Sequence, residues 1–292
     1  MLGDTIWFEK TLNILKNKFN LVSIKDIENF YYNGKTLKNS CHLTIDDGDK
    51  TFYNIIYPVL KKMNIPATLF VSPKICTDLS NFWFQEIRVM DPDKLKKIIS
   101  EDYKVDLTVL QPYSIFVILK NMKINQIWTL IGRYKSLYNL PPIENQNMSI
   151  EQLKEIDRYG LVTIGAHTMN HPILANETDE TSRQEIVDSI RGLENILDHE
   201  VKYFAYPNGT PNLDLSVREI EILKNTNCSL AFSVEKQDFK LADNPFSIPR
   251  YGLTTGSKYF IKAKILLGKN WDLIKNMGSK DEVSLRLELK KK

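Results

Sequence analysis

The chain of 292 residues is 42% hydrophobic and 26% charged, with a formal net charge of only +3. That balance excludes an intrinsically disordered chain, and the length suits one large α/β domain or two small ones. No apolar run approaches the roughly 18 residues that a membrane-spanning helix needs.

Taken in chain order, short β-rich runs alternate with helical patterns. Cys41–Ile45 reads as a strand ending at Asp46-Asp47-Gly48. Lys50–Met63 has helical spacing, with Phe52, Ile55, Ile56, Val59 and Leu60 on one side, and Ala67–Ser72 is the next strand. A strand–helix–strand unit implies parallel pairing. Residues 78–150 break the rhythm. They are mostly helical (Pro92–Ser100, Tyr113–Lys120, Gln126–Tyr138) and read as an insertion or cap. Ser149 is an N-cap signal for a helix ending at Tyr159-Gly160. Leu161–Gly165 is a strand, Glu177–Leu197 a long amphipathic helix, Tyr203–Tyr206 a strand and Leu213–Thr226 a helix. Leu230–Val234 and Phe246–Pro249 complete about six parallel-type strands, which predicts an α/β barrel or doubly wound sheet. Residues 258–292 form a basic helical tail with ten Lys/Arg against four Asp/Glu. Such a run is a solvated helix face, or a contact for an anionic membrane surface or a phosphate-bearing substrate. Confined to one end of a nearly neutral chain, it gives no support to nucleic-acid binding.

Three clusters lie just past the ends of predicted strands, where α/β barrels place their chemistry. In Thr44-Ile45-Asp46-Asp47-Gly48, two adjacent carboxylates follow an apolar strand, and Gly48 permits a tight turn. The same pattern is also a helix N-cap signal. In Gly165-Ala166-His167-Thr168-Met169-Asn170-His171-Pro172, two histidines stand four apart, a spacing that puts both on one side of a helical turn. Two imidazoles and one carboxylate are a common ligand set for a catalytic divalent ion. Phe204-Ala205-Tyr206-Pro207-Asn208-Gly209 is a rigid turn whose N–H groups can face the same mouth. The cysteines Cys41, Cys76 and Cys228 are too few and scattered for a disulfide framework or a thiolate metal site, and they fit a reducing compartment. The first seven residues lack the basic and apolar regions of a secretory signal, so a cytoplasmic location is expected.

These clusters resemble the polysaccharide deacetylases with the NodB homology domain, carbohydrate esterase family 4. Thr44–Gly48 matches T-F-D-D-G with Ile45 for Phe, and His167–Pro172 matches H-[ST]-x-x-H-P. Pro66-Ala67-Thr68-Leu69-Phe70-Val71 matches the strand that follows the first motif. The resemblance implies a single domain with a distorted (β/α)7-type barrel, here carrying the helical insertion. It implies a divalent metal, usually zinc, on Asp47, His167 and His171. Asp46 would be the general base, and the Asn208 N–H an oxyanion donor. Tyr206, Pro207 and Trp83 are expected to touch the carbohydrate substrate, and Glu86 stands near enough to Trp83 to join them.

The chain departs from the family pattern in three ways. Ala205 and Asn208 replace the Arg and Tyr of the usual R-x-P-Y motif, and Arg250, after a later strand, is expected to supply the missing guanidinium. No histidine follows His199, so the family's late acid is absent and the role is unassigned; His42 and His199 read as structural. The third departure is the insertion itself. The expected activity is de-N-acetylation of a sugar in a polysaccharide or glycan precursor. An O-acyl or formyl hydrolase is the alternative, and a glycan-binding protein without turnover is a further one.

Overall fold

Residues 67–71, Ala-Thr-Leu-Phe-Val, are apolar but for Thr68 and carry no charge, as suits a strand covered on both faces, and all five are buried. They lie inside a computed structural model that describes residues 5–235, 237–254, 256–268 and 282–290. The elements run α1 (Thr5–Lys18), β1 (Asn20–Leu21), α2 (Ile24–Tyr32), β2 (Ser40–Cys41), β3 (Leu43–Ile45), α3 (Tyr57–Met63), β4 (Ala67–Val71) and α4 (Pro73–Asp78). The insertion contributes α5 (Trp83–Ile87), α6 (Pro92–Tyr103), α7 (Leu107–Leu110), α8 (Ile115–Leu119) and α9 (Ile124–Tyr138). Then follow α10 (Ile150–Tyr159), β5 (Val162–Ala166), α11 (Asp179–Leu197), β6 (Tyr203–Ala205), α12 (Val217–Lys224), β7 (Leu230–Phe232), α13 (Lys258–Leu267) and α14 (Glu282–Leu289).

The expected α/β barrel is a curled half-barrel of five parallel strands in the order β3-β4-β5-β6-β7. β1 and β2 pair in parallel as a separate short sheet. Phe246–Pro249 is not a full strand; Ile248 alone bridges Phe232 at the sheet edge. Close packing fixes one glycine: a Cβ on Gly165 would stand 2.6 Å from Phe70 Cδ1 and 2.9 Å from the Tyr203 carbonyl. The helix expected from Lys50 is interrupted. Phe52–Ile56 is a π-helical segment, with the Tyr57 N–H reaching back to the Phe52 carbonyl. Pro58 has no N–H to give and its ring would clash with an ordinary turn, which accounts for the wider winding ahead of it. α12 starts later than its apolar pattern suggests, because Ser216 and Glu219 form a capping box there.

The insertion has its own core, built on Trp83, Leu95, Leu119, Ile127, Ile131 and Tyr134, and Phe84 packs against both this core and that of the barrel. Its two ends are pinned together. Gln85 and Asn147 exchange amide hydrogen bonds at 2.9 Å, and Asn147 Nδ2 donates to the Ser80 carbonyl at 2.7 Å. The exit segment is tied in turn to the Asp-Asp-Gly turn, Met148 N–H donating to the Gly48 carbonyl at 3.0 Å. The insertion is therefore held over the carboxyl ends of the strands.

The basic tail is two helices with residues 269–281 outside the described set. α13 lies against α1. α14 docks on the insertion: Leu285 and Leu289 join its core, and Tyr113 Oη donates to Glu288 Oε1 at 2.9 Å. Arg286 is buried and meets buried Asp214 at 2.6 Å. Among the described residues no helix is long and apolar enough to cross a membrane.

Candidate active site

The carboxyl ends of β3, β5 and β6 each pass into a turn that contains a left-handed residue other than glycine: Asp47 (φ 77°), Thr168 (φ 60°), His171 (φ 55°) and Asn208 (φ 58°). Such backbone is costly away from glycine and tends to gather where function requires it. After β3 the Gly48 N–H donates to the Asp46 carbonyl at 3.1 Å, a three-residue turn centred on Asp47 that turns the two carboxylates toward one mouth. Gly48 itself has φ +83° and lies so close to Val71 that a Cβ would stand 3.0 Å from its Cγ2. The N-cap alternative for the pair fails, because Asp49 does that work, accepting from Thr51 N–H at 2.8 Å.

The histidine segment is not a helical turn, as the four-residue spacing suggests, but a clamped loop. The His167 N–H donates to the Val71 carbonyl at 3.1 Å, and the His171 N–H to Thr168 Oγ1 at 3.1 Å. Glu185, buried on α11, accepts from the Met169 and Asn170 N–H groups at 2.9 and 2.8 Å. Trp83 Nε1 donates to the His171 carbonyl at 2.9 Å. The two left-handed residues, rather than helical periodicity, bring the imidazoles together, with ring centres 5.0 Å apart.

The ligand set expected for a metal converges. Asp47 Oδ1 lies 3.6 Å from His167 Nε2 and 3.4 Å from His171 Nε2. His167 Nδ1 is 2.7 Å from the Ala205 carbonyl, which assigns its proton there and leaves Nε2 a free lone pair. Burial lowers the pKa of His167 and takes that of His171 down to about 4, so both rings are neutral acceptors. Asp47 Oδ1 is buried and receives no hydrogen bond. One carboxylate and two imidazoles whose ligand atoms lie within 4.8 Å of one another suit a cation. Burial pushes the Asp47 carboxyl up to about 6, the tension that such an ion would relieve.

Asp46 is treated differently. Arg250 Nη1 reaches its Oδ1 at 2.8 Å and Nη2 its Oδ2 at 3.0 Å, a two-pronged pair. Burial favours the protonated acid and is the largest single influence, but the Arg250 guanidinium and the two histidine rings together hold Asp46 below the usual carboxylate range. Arg250 is itself fixed by Thr44 Oγ1 at 3.1 Å and the Ser233 carbonyl at 3.2 Å.

A pocket of about 310 Å³ opens above these groups. Asp46, Asp47, His167, His171 and Asn208 line it from the barrel, and Trp83, Phe84, Arg88, Phe116 and Lys120 from the insertion. The Asn208 main-chain N–H has no partner among the described residues, and its Nδ2 is buried and unpartnered. Two expected substrate contacts are corrected. Tyr206 is fully buried in the barrel core, its hydroxyl donating to the Phe246 carbonyl at 2.9 Å, and Pro207 is buried outside the pocket lining. Trp83 lines the pocket but is 1% exposed; it walls the cavity and tethers His171. Glu86 faces away, paired with Lys135 at 2.7 Å. His42 and His199 are elsewhere, the first bonded to the Val22 carbonyl and Thr68, the second to Asp157. Arg88, Phe116 and Lys120 escaped the sequence reading: Arg88 follows one short helix, Phe116 and Lys120 share another, and no motif links the two stretches.

A family model described as polysaccharide deacetylase matches residues 33–107 and 112–227. The poly-beta-1,6-N-acetyl-D-glucosamine N-deacetylase of Staphylococcus aureus (strain MSSA476) is 24% identical over 246 residues, covering 83% of this chain and 64% of its own. The chain thus spans just under two thirds of the length of that curated relative. Among solved structures, IcaB from Ammonifex degensii superposes with a TM-score of 0.59 at 21% identity, covering 89% of this chain and 88% of its own. Streptococcus pyogenes deacetylase PplD, in complex with acetate, gives 0.56 at 18%, covering 84% and 78%. These two share the fold. With both acidic and histidine motifs inside the matched segments and converging on one pocket, the chain belongs to the polysaccharide deacetylase family.

Proposed function

We propose that the chain hydrolyses the N-acetyl group of a sugar in a polysaccharide or glycan precursor, with a divalent cation, zinc by expectation, on Asp47, His167 and His171. The observation that carries this reading is the pairing of two dissimilar carboxylates in one pocket. Asp46 is kept ionised by Arg250, while Asp47 is left facing two imidazoles. A binding module without turnover has no need of that division. The Staphylococcus aureus relatives are named as deacetylases of an N-acetylglucosamine polymer, which supports an N-acetylated glycan as the substrate class.

Bound at those three ligands, the ion supplies Lewis-acid chemistry, polarising the acyl carbonyl and making water acidic enough to attack near neutral pH. Asp46 would take the proton of the attacking water at a carboxylate oxygen, aimed by the Arg250 fork, and that proton would pass to the amine nitrogen as the C–N bond breaks, since the lining holds no further histidine. The Asn208 N–H donates to the acyl oxygen as it gains charge. Trp83 and Phe84 back His171 and keep that side dry. Hydrolysis of an O-acyl or formyl group is the second reading. It is favoured by one observation: the pocket lining holds no histidine besides the two ligands, and an alkoxide leaves with less proton assistance than an amine. Peripheral contact with an anionic membrane face from the cytoplasmic side belongs to the same proposal. α13 supports it by exposing Tyr259 and Leu266 beside Lys258 and Lys262.

Acetate release from matched N-acetyl and O-acetyl oligosaccharides tests the function. Release from the N-acetyl form, stopped by a chelator and by Asp46→Asn, is expected. Release from the O-acetyl form alone selects the second reading, and no release from either by metal-loaded protein overturns both.

A further inference from the structure

The charges around the pocket do not cancel. Arg250 matches Asp46, and Asp47 faces the two imidazoles where a cation fits. Two further cations line the pocket, both from the insertion. Lys120 follows α8, and its carbonyl accepts from Asn176 Nδ2 and Arg286 Nη2, each at 3.0 Å. Its ammonium meets Glu282 of α14 at 2.6 Å. Arg88, at the end of α5, is exposed; it makes no close ion pair among the described residues, although its charge reaches Asp47 across the pocket. Its guanidinium carbon sits 5.7 Å from the centre of the Phe84 ring, which restricts it to the rim. Phe84 and Phe116 are apolar walls of the same pocket, suited to a sugar face.

Resting on the proposed deacetylation, we propose that the substrate is an acidic saccharide, with a phosphate or carboxylate group near the reacting acetamide received by Arg88 and, behind it, Lys120. A planar guanidinium pinned against an aromatic ring is arranged to fork two oxygens of such a group. With a neutral glycan Arg88 would act only through its attraction at a distance for Asp47, and its exposed fork would find no partner in the substrate. Lys120 is the adjustable partner, since its charge is shared with Glu282.

The test compares a neutral N-acetylated disaccharide with matched disaccharides carrying a phosphate or a carboxylate. Metal-loaded wild type and Arg88→Ala are each assayed for acetate release and for binding by calorimetry. In wild type the charged substrates should exceed the neutral one in kcat/KM by about tenfold, the worth of one charge-assisted hydrogen bond. The advantage should fall as salt rises. In Arg88→Ala the charged-to-neutral ratio should fall toward one, and Arg88→Lys should keep part of it. Whether the phosphate or the carboxylate form gains more identifies the group. Equal rates for charged and neutral substrates in wild type, or the same ratio in Arg88→Ala, overturn the inference. If no substrate is hydrolysed, the deacetylase reading fails, and the charged-to-neutral binding ratio in the two proteins decides the anion subsite alone.

Discussion

Arg250 and Asp46 lie 204 positions apart and meet in a two-pronged ion pair, Nη1 to Oδ1 at 2.8 Å and Nη2 to Oδ2 at 3.0 Å. The position where the family motif carries its arginine is Ala205 here, so the guanidinium arrives from the far side of the sheet instead. Arg250→Ala is expected to cut kcat by ~10–100-fold, and Asp46→Asn by the ~100- to 10,000-fold typical of losing a general base. Arg250→Lys should fall between wild type and Arg250→Ala, because an ammonium supplies charge without the fork. Steady-state acetate release measures all three. If Arg250→Ala matched wild type, the positioning role would be wrong.

Glu185 touches no expected ligand directly, yet it holds the loop between the two histidines through the Met169 and Asn170 N–H groups and through Asn170 Nδ2 at 2.6 Å. Loss of such outer support costs ~10–100-fold in metal affinity. Glu185→Ala should therefore bind zinc more weakly by that factor, whereas His171→Ala should lose the ion altogether. Competition with a chromophoric chelator gives the affinities, and elemental analysis gives the stoichiometry. Glu185→Gln, which keeps an acceptor oxygen, should recover part of the loss. Zinc affinity unchanged in Glu185→Ala would remove it as a positioning residue.

Residues that converge on the pocket were legible in the sequence where short motifs carry them. Asp46, Asp47, His167 and His171 were legible because two short turns carry all four. The sequence reading failed where geometry depends on individual backbone angles or distant partners. Left-handed Thr168 and His171 replace the expected helical turn. Tyr206 is expected at the substrate from the turn motif, but strand alternation puts it on the Phe204 side in the main barrel core, while Tyr203 and Ala205 face the other cluster. Arg88 and Lys120 become neighbours of the site only after the insertion folds on its own core. Pro58 was visible, but the π-helical winding ahead of it has no periodicity to announce it.

Arg286 and Asp214 make a buried ion pair, 2.6 Å apart, that ties α14 to the segment ahead of α12. Removing one partner strands a buried charge, which typically costs about 3–5 kcal/mol. Arg286→Met alone should lower the thermal midpoint and make the chain sensitive to proteolysis near α14. Adding Asp214→Asn should restore much of the loss, since no charge is then left unpaired. Equal stability of the single and double variants would show that the pair is not coupled.

His42 is held neutral by its surroundings. Its Nδ1 lies 2.7 Å from the Val22 carbonyl and its Nε2 2.8 Å from Thr68 Oγ1, and Thr68 is fully buried. Burial takes its pKa from 6.5 down to about 4. The unfolded chain therefore takes up the proton first as pH falls. The stability from neutral His42 is complete above about pH 6.5, declines as pH drops, and is fully lost below about pH 4, a total of about 3 kcal/mol. His42→Gln removes this titration while keeping an amide that can bond within the same space. At pH 7 the variant should be less stable than wild type, because the histidine's two hydrogen bonds are not reproduced in full. Between pH 6.5 and 4, however, its stability should fall by less. His167 and His171 also titrate in the metal-free chain, but they are common to both proteins and cancel in the difference. Urea unfolding of metal-free wild type and His42→Gln at pH 7, 5.5 and 4.5 measures it. Parallel stability–pH curves for the two would show that His42 protonates in the fold as freely as it does in the unfolded chain.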